Sequence, residues 1–145
     1  MRYQIEIKHD QKHAKAFCPI DTVIQKLLEC LYKEKIHDLT EVQCFDWDVL
    51  IKLQQLDQTI ATAFLSPSSC YHFTESLPKT IHDLGGTIWG PAYQTLSQEL
   101  VQEAHHLKLK VVPWTVNTID AMDLLIRWDV DGIITDRPDL LKSRL

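Results

Sequence analysis

No run of about 18 apolar residues occurs anywhere in this chain, so a membrane-spanning helix is not expected. The N-terminus, MRYQIEIKHD, alternates charges with apolar residues and holds no secretory hydrophobic region. Both absences make the chain read as soluble and cytoplasmic. A Lys/Arg-rich stripe is missing too: 15 basic residues face 20 acidic ones, a net charge of −5. That balance argues against nucleic-acid binding and against a polybasic membrane contact. Cysteines are few and scattered. Cys18, Cys30, Cys44 and Cys70 form no C-x2-C pair, so reduced thiols are expected and a zinc site of the usual spacing is not. Nor does a glycine-rich phosphate loop follow the first strand candidate, which removes the defining feature of a Rossmann or P-loop fold.

What remains is enough to fold. Across 145 residues, 45% are hydrophobic and 24% charged, a composition for one core-forming domain and not for a disordered chain. Seven histidines invite a search for metal ligands. His105 and His106 are adjacent, so a helix points them about 100° apart, and they read as solvated helix positions.

Short apolar runs alternate with longer amphipathic ones. Strands are expected at Tyr3–Lys8, Val42–Phe45, Thr59–Leu65, Thr87–Gly90, Leu109–Trp114 and Gly132–Thr135. Helices or helical turns are expected at Pro19–Lys35, Asp46–Gln55, Leu77–Leu84, Ser97–Leu107, Ile119–Trp128 and Pro138–Ser143. The first of these helices carries Val23, Ile24, Leu27, Leu28 and Leu31 on one stripe. Such alternation implies parallel strands joined by right-handed crossovers; closed barrel and flavodoxin-like open sheet both fit it. No domain boundary is visible. The loop Ser66–Ser76 contains Cys70-Tyr71-His72-Phe73, whose aromatics suit a cover over a site but suit an ordinary surface connection as well.

On the first strand Gln4, Glu6 and Lys8 share one face, Ile5 and Ile7 the other. A carboxylate and an ammonium two residues apart either support each other or serve a ligand.

Four motifs carry a resemblance. They are Ile5-Glu-Ile-Lys8, Val42-Gln-Cys-Phe-Asp-Trp47, Val111-Val-Pro-Trp-Thr-Val-Asn117 and Val130-Asp-Gly-Ile-Ile-Thr-Asp-Arg-Pro138. In this order they resemble the E-I-K, V-Q-S-F-D-W, V-x-x-W-T-V-N and V-D-G-I-I-T-D-x-P segments of glycerophosphodiester phosphodiesterases, with Cys44 in the usual serine position.

The resemblance implies an α/β fold, an incomplete TIM (β/α)8 barrel with strands three to eight of the phospholipase-C-like phosphodiesterase barrel, in one truncated domain spanning residues 1–145. A whole barrel runs to about 250 residues. The helices of a barrel take the apolar strand face, which sends Glu6 and Lys8 inward at the C-terminal strand ends, where barrel active sites sit.

The implied activity is hydrolysis of glycerophosphodiesters to an alcohol and glycerol 3-phosphate, helped by Mg2+ or Ca2+, which the isolated chain is expected to hold weakly or not at all. Glu6 is the implied metal ligand, Lys8 the phosphate contact, and Trp114, Phe45 and Trp89 the substrate-binding walls. The family's H-R-G, P-E-N-T, E-x-D and H-D motifs supply both catalytic histidines and two metal carboxylates. This sequence has no H-R-G and no P-E-N-T, and its His9-Asp10 follows E-I-K where the family's H-D precedes it. No catalytic residue is therefore expected here, and the isolated chain is expected to be inactive or nearly so. A headgroup-binding module and a functionless remnant are the alternatives. Open strand edges imply association with a second copy or with a fragment bearing the missing strands. Finally, Lys108 and Asp129 stand where the family has glycine after a helix, so left-handed backbone is expected at both.

Overall fold

A computed structural model of the chain describes residues 2–9, 18–69 and 76–145. The expectations for His9-Asp10 as a pair and for Cys70–Phe73 fall partly or wholly outside those residues. The described residues divide into two compact units, Met1–Leu65 and Ser66–Leu145. The division falls inside an apolar strand, at no linker that composition could mark.

The first unit holds β1 (Tyr3–Glu6), α1 (Ile20–Lys33), β2 (Thr40–Cys44), α2 (Trp47–Leu56) and the greater part of β3 (Ala61–Ser66). The three strands pair in parallel: Glu6 lies beside Gln43, and Gln43 beside Ala63. Period-two alternation assigns the two faces. Ile7, Val42, Cys44 and Phe64 are buried and carry the face on which α2 packs; Phe64 meets Trp47 edge-on at 5.6 Å, and Thr62 accepts from Gln54 Nε2 at 2.9 Å. Gln4, Glu6, Glu41 and Gln43 occupy the opposite face. The amphipathic stripe of α1 behaves as its spacing requires, with Ile24 and Leu31 fully buried. At the start of α2, Asp46 caps the helix by accepting from the Asp48 N–H.

The second unit holds α3 (Leu77–Asp83), β4 (Ile88–Pro91), α4 (Gln98–His106), β5 (Lys110–Val111), α5 (Ile119–Arg127) and α6 (Pro138–Lys142). β4 and β5 pair in parallel, Ile88 with Lys110 and Trp89 with Val111, and an isolated bridge joins Ala92 to Trp114.

Two strand expectations need correction. β5 covers two residues, not Leu109–Trp114, and Gly132–Thr135 is not a strand. The bonds explain why. Asp131 N donates to Val111 O, Ile134 N to Pro113 O, and Val116 N to Ile134 O. Three residues on one side thus answer two on the other, then two bonds converge on Ile134. Pro113 has no N–H to repair the step. The segments lie side by side as strands would, out of regular register. The last helix, α6, starts at Pro138 as expected, with Arg137 before it making no side-chain cap bond.

Left-handed backbone is found at Lys108 (φ 61°) and Asp129 (φ 63°), as their positions after helices require, and also at Lys35 (φ 56°).

Candidate functional site

The C-terminal ends of β1 and β2 bring the first unit's candidates together. β1 ends at Glu6, but Ile7 N still donates to Gln43 O at 2.9 Å, which extends the ladder by one step. The buried Cys44 thiol then donates to Ile7 O at 3.0 Å. One residue beyond Lys8, the His9 ring places Nδ1 2.7 Å from Asp46 Oδ2. Asp46 uses its other oxygen for the α2 cap, so one carboxylate holds both the turn after β1 and the start of α2. His9 follows the parity of Ile5 and Ile7, the helix-facing side, and its side chain is 14% exposed. Glu6 and Lys8 follow the other parity and are exposed.

The His9–Asp46 pair escaped the sequence reading, which judged His9 only against an H-D motif. The available signal was topological: both residues follow the last apolar position of neighbouring parallel strands.

Beside Glu6, the half-buried Gln43 side chain has its Oε1 closed off from solvent, with no hydrogen-bond partner among the described residues. Phe45 is 43% exposed at the next position of that parity. No group of three or more His, Cys, Asp or Glu side chains converges as a metal cage among the described residues. Hard oxygens do suit a hard cation, and the Glu6 carboxylate with the Gln43 carbonyl in register beside it offers two. A complete cage would draw further oxygens from outside the described set.

Burial pushes the Cys44 thiol up from 9.0 to about 11; the backbone N–H groups of Asp46 and His9 oppose the shift, and the Asp46 and Glu6 carboxylates add to it. The raised value keeps the folded thiol neutral while an unfolded chain ionises. Its contribution is therefore full below pH 9 and is lost as pH rises from about 9 to about 11. At pH 8, iodoacetamide should modify the exposed Cys18 and Cys30 and spare Cys44 until denaturant is added; peptide mass spectrometry reads the order, and early labelling of Cys44 would contradict the burial.

In the second unit the two tryptophans have different surroundings. Trp89 is 1% exposed, and its indole N–H donates to Ser66 Oγ at 2.9 Å. Trp114 is half-buried; its indole N–H donates to Gly90 O at 2.8 Å, and Tyr93 N donates to its carbonyl. The side chain is thus fixed by its polar edge and leaves part of its ring at the surface.

The turn after Trp114 is closed by Asn117. Its Oδ1 accepts from Thr135 Oγ1 at 3.1 Å and from Asp136 N at 2.9 Å, while its Nδ2 donates to Asp136 Oδ2 at 2.9 Å. These groups are exposed, so their net worth is modest. Asn117→Ala should cost about 1–2 kcal/mol, measured by urea unfolding. A loss indistinguishable from zero would mean that water replaces all three bonds. Asp136 serves this clasp, and the cap position of α6 falls to Arg137.

His105 and His106 lie apart in role, as a helix surface requires: His105 Nε2 is 3.0 Å from Asp131 Oδ2, and His106 Nδ1 is 2.7 Å from Gln102 O. No helix of the described residues is long and apolar enough to cross a membrane.

Comparison with known proteins agrees with the motif order. The chain is 30% identical over 125 residues to a glycerophosphodiester phosphodiesterase of Bacillus subtilis, a match covering 80% of this chain and 42% of that protein. A match of 49% identity over 45 residues joins it to a protein of Mycobacterium tuberculosis named for the same activity. A structure described as a glycerophosphoryl diester phosphodiesterase from Silicibacter pomeroyi superposes with a TM-score of 0.90 at 28% identity, over 98% of this chain and 49% of that one. Another, from Parabacteroides distasonis, shares the fold with a TM-score of 0.79 at 22% identity, over 99% of this chain and 58% of that one. The chain therefore spans about half the length of the Bacillus subtilis relative and of these two structures. The model of one family, glycerophosphoryl diester phosphodiesterase, matches residues 1–140, and with its motifs in that family's order the chain belongs to it.

Proposed function

We propose that the chain provides one side of a site for glycerophosphodiester hydrolysis, in which these esters yield an alcohol and glycerol 3-phosphate. Glu6 is the carboxylate it offers to Mg2+ or Ca2+, and Lys8 holds the phosphate by its ammonium. In the first unit Phe45, 43% exposed, offers apolar surface on the same strand parity; in the second unit the half-buried Trp114 is the candidate substrate contact, while Trp89, 1% exposed, lies beneath the surface. The family match over residues 1–140, with Glu6-Ile-Lys8 at the C-terminal end of β1, carries this reading. When bound, the cation polarises the phosphoryl group and offsets its developing charge. Lys8 lies two residues from Glu6 on the same strand parity, so its charge falls on the same side as the carboxylate.

These residues bind and orient; none supplies the proton transfer to the departing alcohol. The sequence has no H-R-G or P-E-N-T segment, and the His9 ring is engaged by Asp46 on the helix-facing side. The barrel is therefore read as incomplete within these 145 residues. A separate fragment bearing those motifs would complete it by pairing along the β1 edge, which has one partner strand among the described residues; a second copy could cover that edge without supplying the motifs.

Glycerophosphocholine incubated with the chain and excess Mg2+ or Ca2+ should release no glycerol 3-phosphate above the uncatalysed rate. Robust release abolished by Glu6→Ala would overturn the expected inactivity while keeping Glu6 in its role. Release indifferent to Glu6→Ala would overturn both.

A further inference from the structure

Two buried side-chain atoms of the first unit have no hydrogen-bond partner among the described residues, His37 Nδ1 and Gln43 Oε1, and of these Gln43 Oε1 belongs to the strand position beside Glu6. A buried carbonyl oxygen without a partner is costly, and a native chain keeps one where something outside the polypeptide binds it. Position narrows what that is. Gln43 is the in-register partner of Glu6 across a parallel pair, so the two side chains leave the sheet on one face from strands about 4.8 Å apart. At its two neighbours of the same parity β2 carries Glu41 and Phe45, and β3 puts Ala63 directly beside it. None of these three offers a donor to a carbonyl oxygen, and Gln4 and Lys8, which flank Glu6 at the same parity and do carry donors, make no hydrogen bond to it. An ion lying between Glu6 and Gln43 would be reached by both, since side-chain amide oxygens and carboxylates alike bind Ca2+ at about 2.3–2.6 Å.

We infer that Gln43 is a cation ligand of this chain: its side-chain carbonyl stands beside the Glu6 carboxylate as a second hard oxygen for a divalent ion. The inference rests on the reading of Glu6 as a metal position and adds a residue to it. It also accounts for the orphaned oxygen, because the cost of leaving it unbonded is recovered when the ion arrives. Gln43 thereby trades stability of the empty chain for affinity. A residue retained for packing alone has the opposite signature.

Two measurements on the intact chain test this, calorimetric titration with Ca2+ and thermal melting with and without excess Ca2+. Gln43→Leu should weaken Ca2+ binding about tenfold and raise the melting temperature of the metal-free chain by about 2–4 °C. Gln43→Glu keeps the size and adds a charge; it should tighten Ca2+ binding about tenfold, and it carries the test should the leucine variant fail to fold. Ca2+ should raise the melting temperature of the wild-type chain more than that of Gln43→Leu. If Glu6→Gln loses Ca2+ while both Gln43 variants bind it like the wild type, Gln43 is no ligand: a water answers its oxygen, and the reading of Glu6 survives. If the wild type binds no Ca2+, or binds it no better than Glu6→Gln, the reading of Glu6 fails and the inference falls with it.

Discussion

Trp89→Ala should lower the stability of the second unit by about 3–5 kcal/mol, the usual cost of emptying a large aromatic site from a packed interior. The argument starts from burial. Trp89 is 1% exposed and sits in β4 between Ile88, itself buried, and Gly90. Its indole N–H satisfies Ser66 Oγ, a hydroxyl that is also closed off from solvent. Removing the ring therefore leaves both a void and an unpaired hydroxyl, and neither can relax to water. Trp89→Phe separates the two effects, since it retains most of the bulk and loses only the donor; about 1–3 kcal/mol is expected for it. A domain of ordinary stability has about 5–15 kcal/mol in total, so the alanine variant should show an early, broadened unfolding transition by circular dichroism. A ring that formed only the wall of an open pocket would give a small change in stability. An alanine variant melting within about 2 °C of the wild type would demonstrate that case.

Trp89 also shows how far a sequence can be read here. Its strand was legible: an apolar run with β-formers, bounded by glycines and followed by an amphipathic helix, has few other readings. Its burial was not, because strand period gives parity and not depth. The same limit applies at Glu6 and Lys8, whose shared face followed from alternation alone and agrees with the exposed positions observed. The first unit's polar pair, His9 with Asp46, joins residues 37 apart through the parallel neighbouring of two strands, and no local pattern encodes that contact. Gln43 was legible only as part of a motif; its importance as an orphaned oxygen arises from what packs around it. The segment Gly132–Thr135 failed for a different reason. Its composition is that of a strand, but its partner contains Pro113 and pairs two residues against three, so backbone chemistry on the neighbouring segment decided its state. Agreement is best where a residue's role depends on its own chain neighbours, as at Asp46, the expected start of a helix and the observed cap of α2.

Replacing Lys35, Lys108 and Asp129 together by glycine should stabilise the chain by about 3 kcal/mol, about 1 kcal/mol for each position. Four of the described helices end in the same way. After α1, Ile36 N reaches back to Leu31 O and Lys35 N to Tyr32 O; after α3, Gly86 N to Ile81 O and Gly85 N to His82 O. After α4, Leu109 N bonds Ala104 O and Lys108 N bonds His105 O; after α5, Val130 N bonds Leu125 O and Asp129 N bonds Ile126 O. Each turn needs one left-handed residue to bring the chain round for these two bonds. Gly85 supplies it at φ 75°, whereas the other three turns force a side-chain-bearing residue to φ 56–63°. The Cβ crowding of that conformation is relieved only in glycine, and Asp tolerates it better than Lys. The single variants should therefore rank Lys35→Gly and Lys108→Gly above Asp129→Gly. The sites lie at the ends of separate helices, so the gains should add. Urea unfolding should show the midpoint rising with its slope unchanged, the mark of a changed stability and not of a changed unfolded state. Equal or lower midpoints for both lysine variants would mean that these side chains make compensating contacts at the helix ends and that the backbone there carries no removable strain.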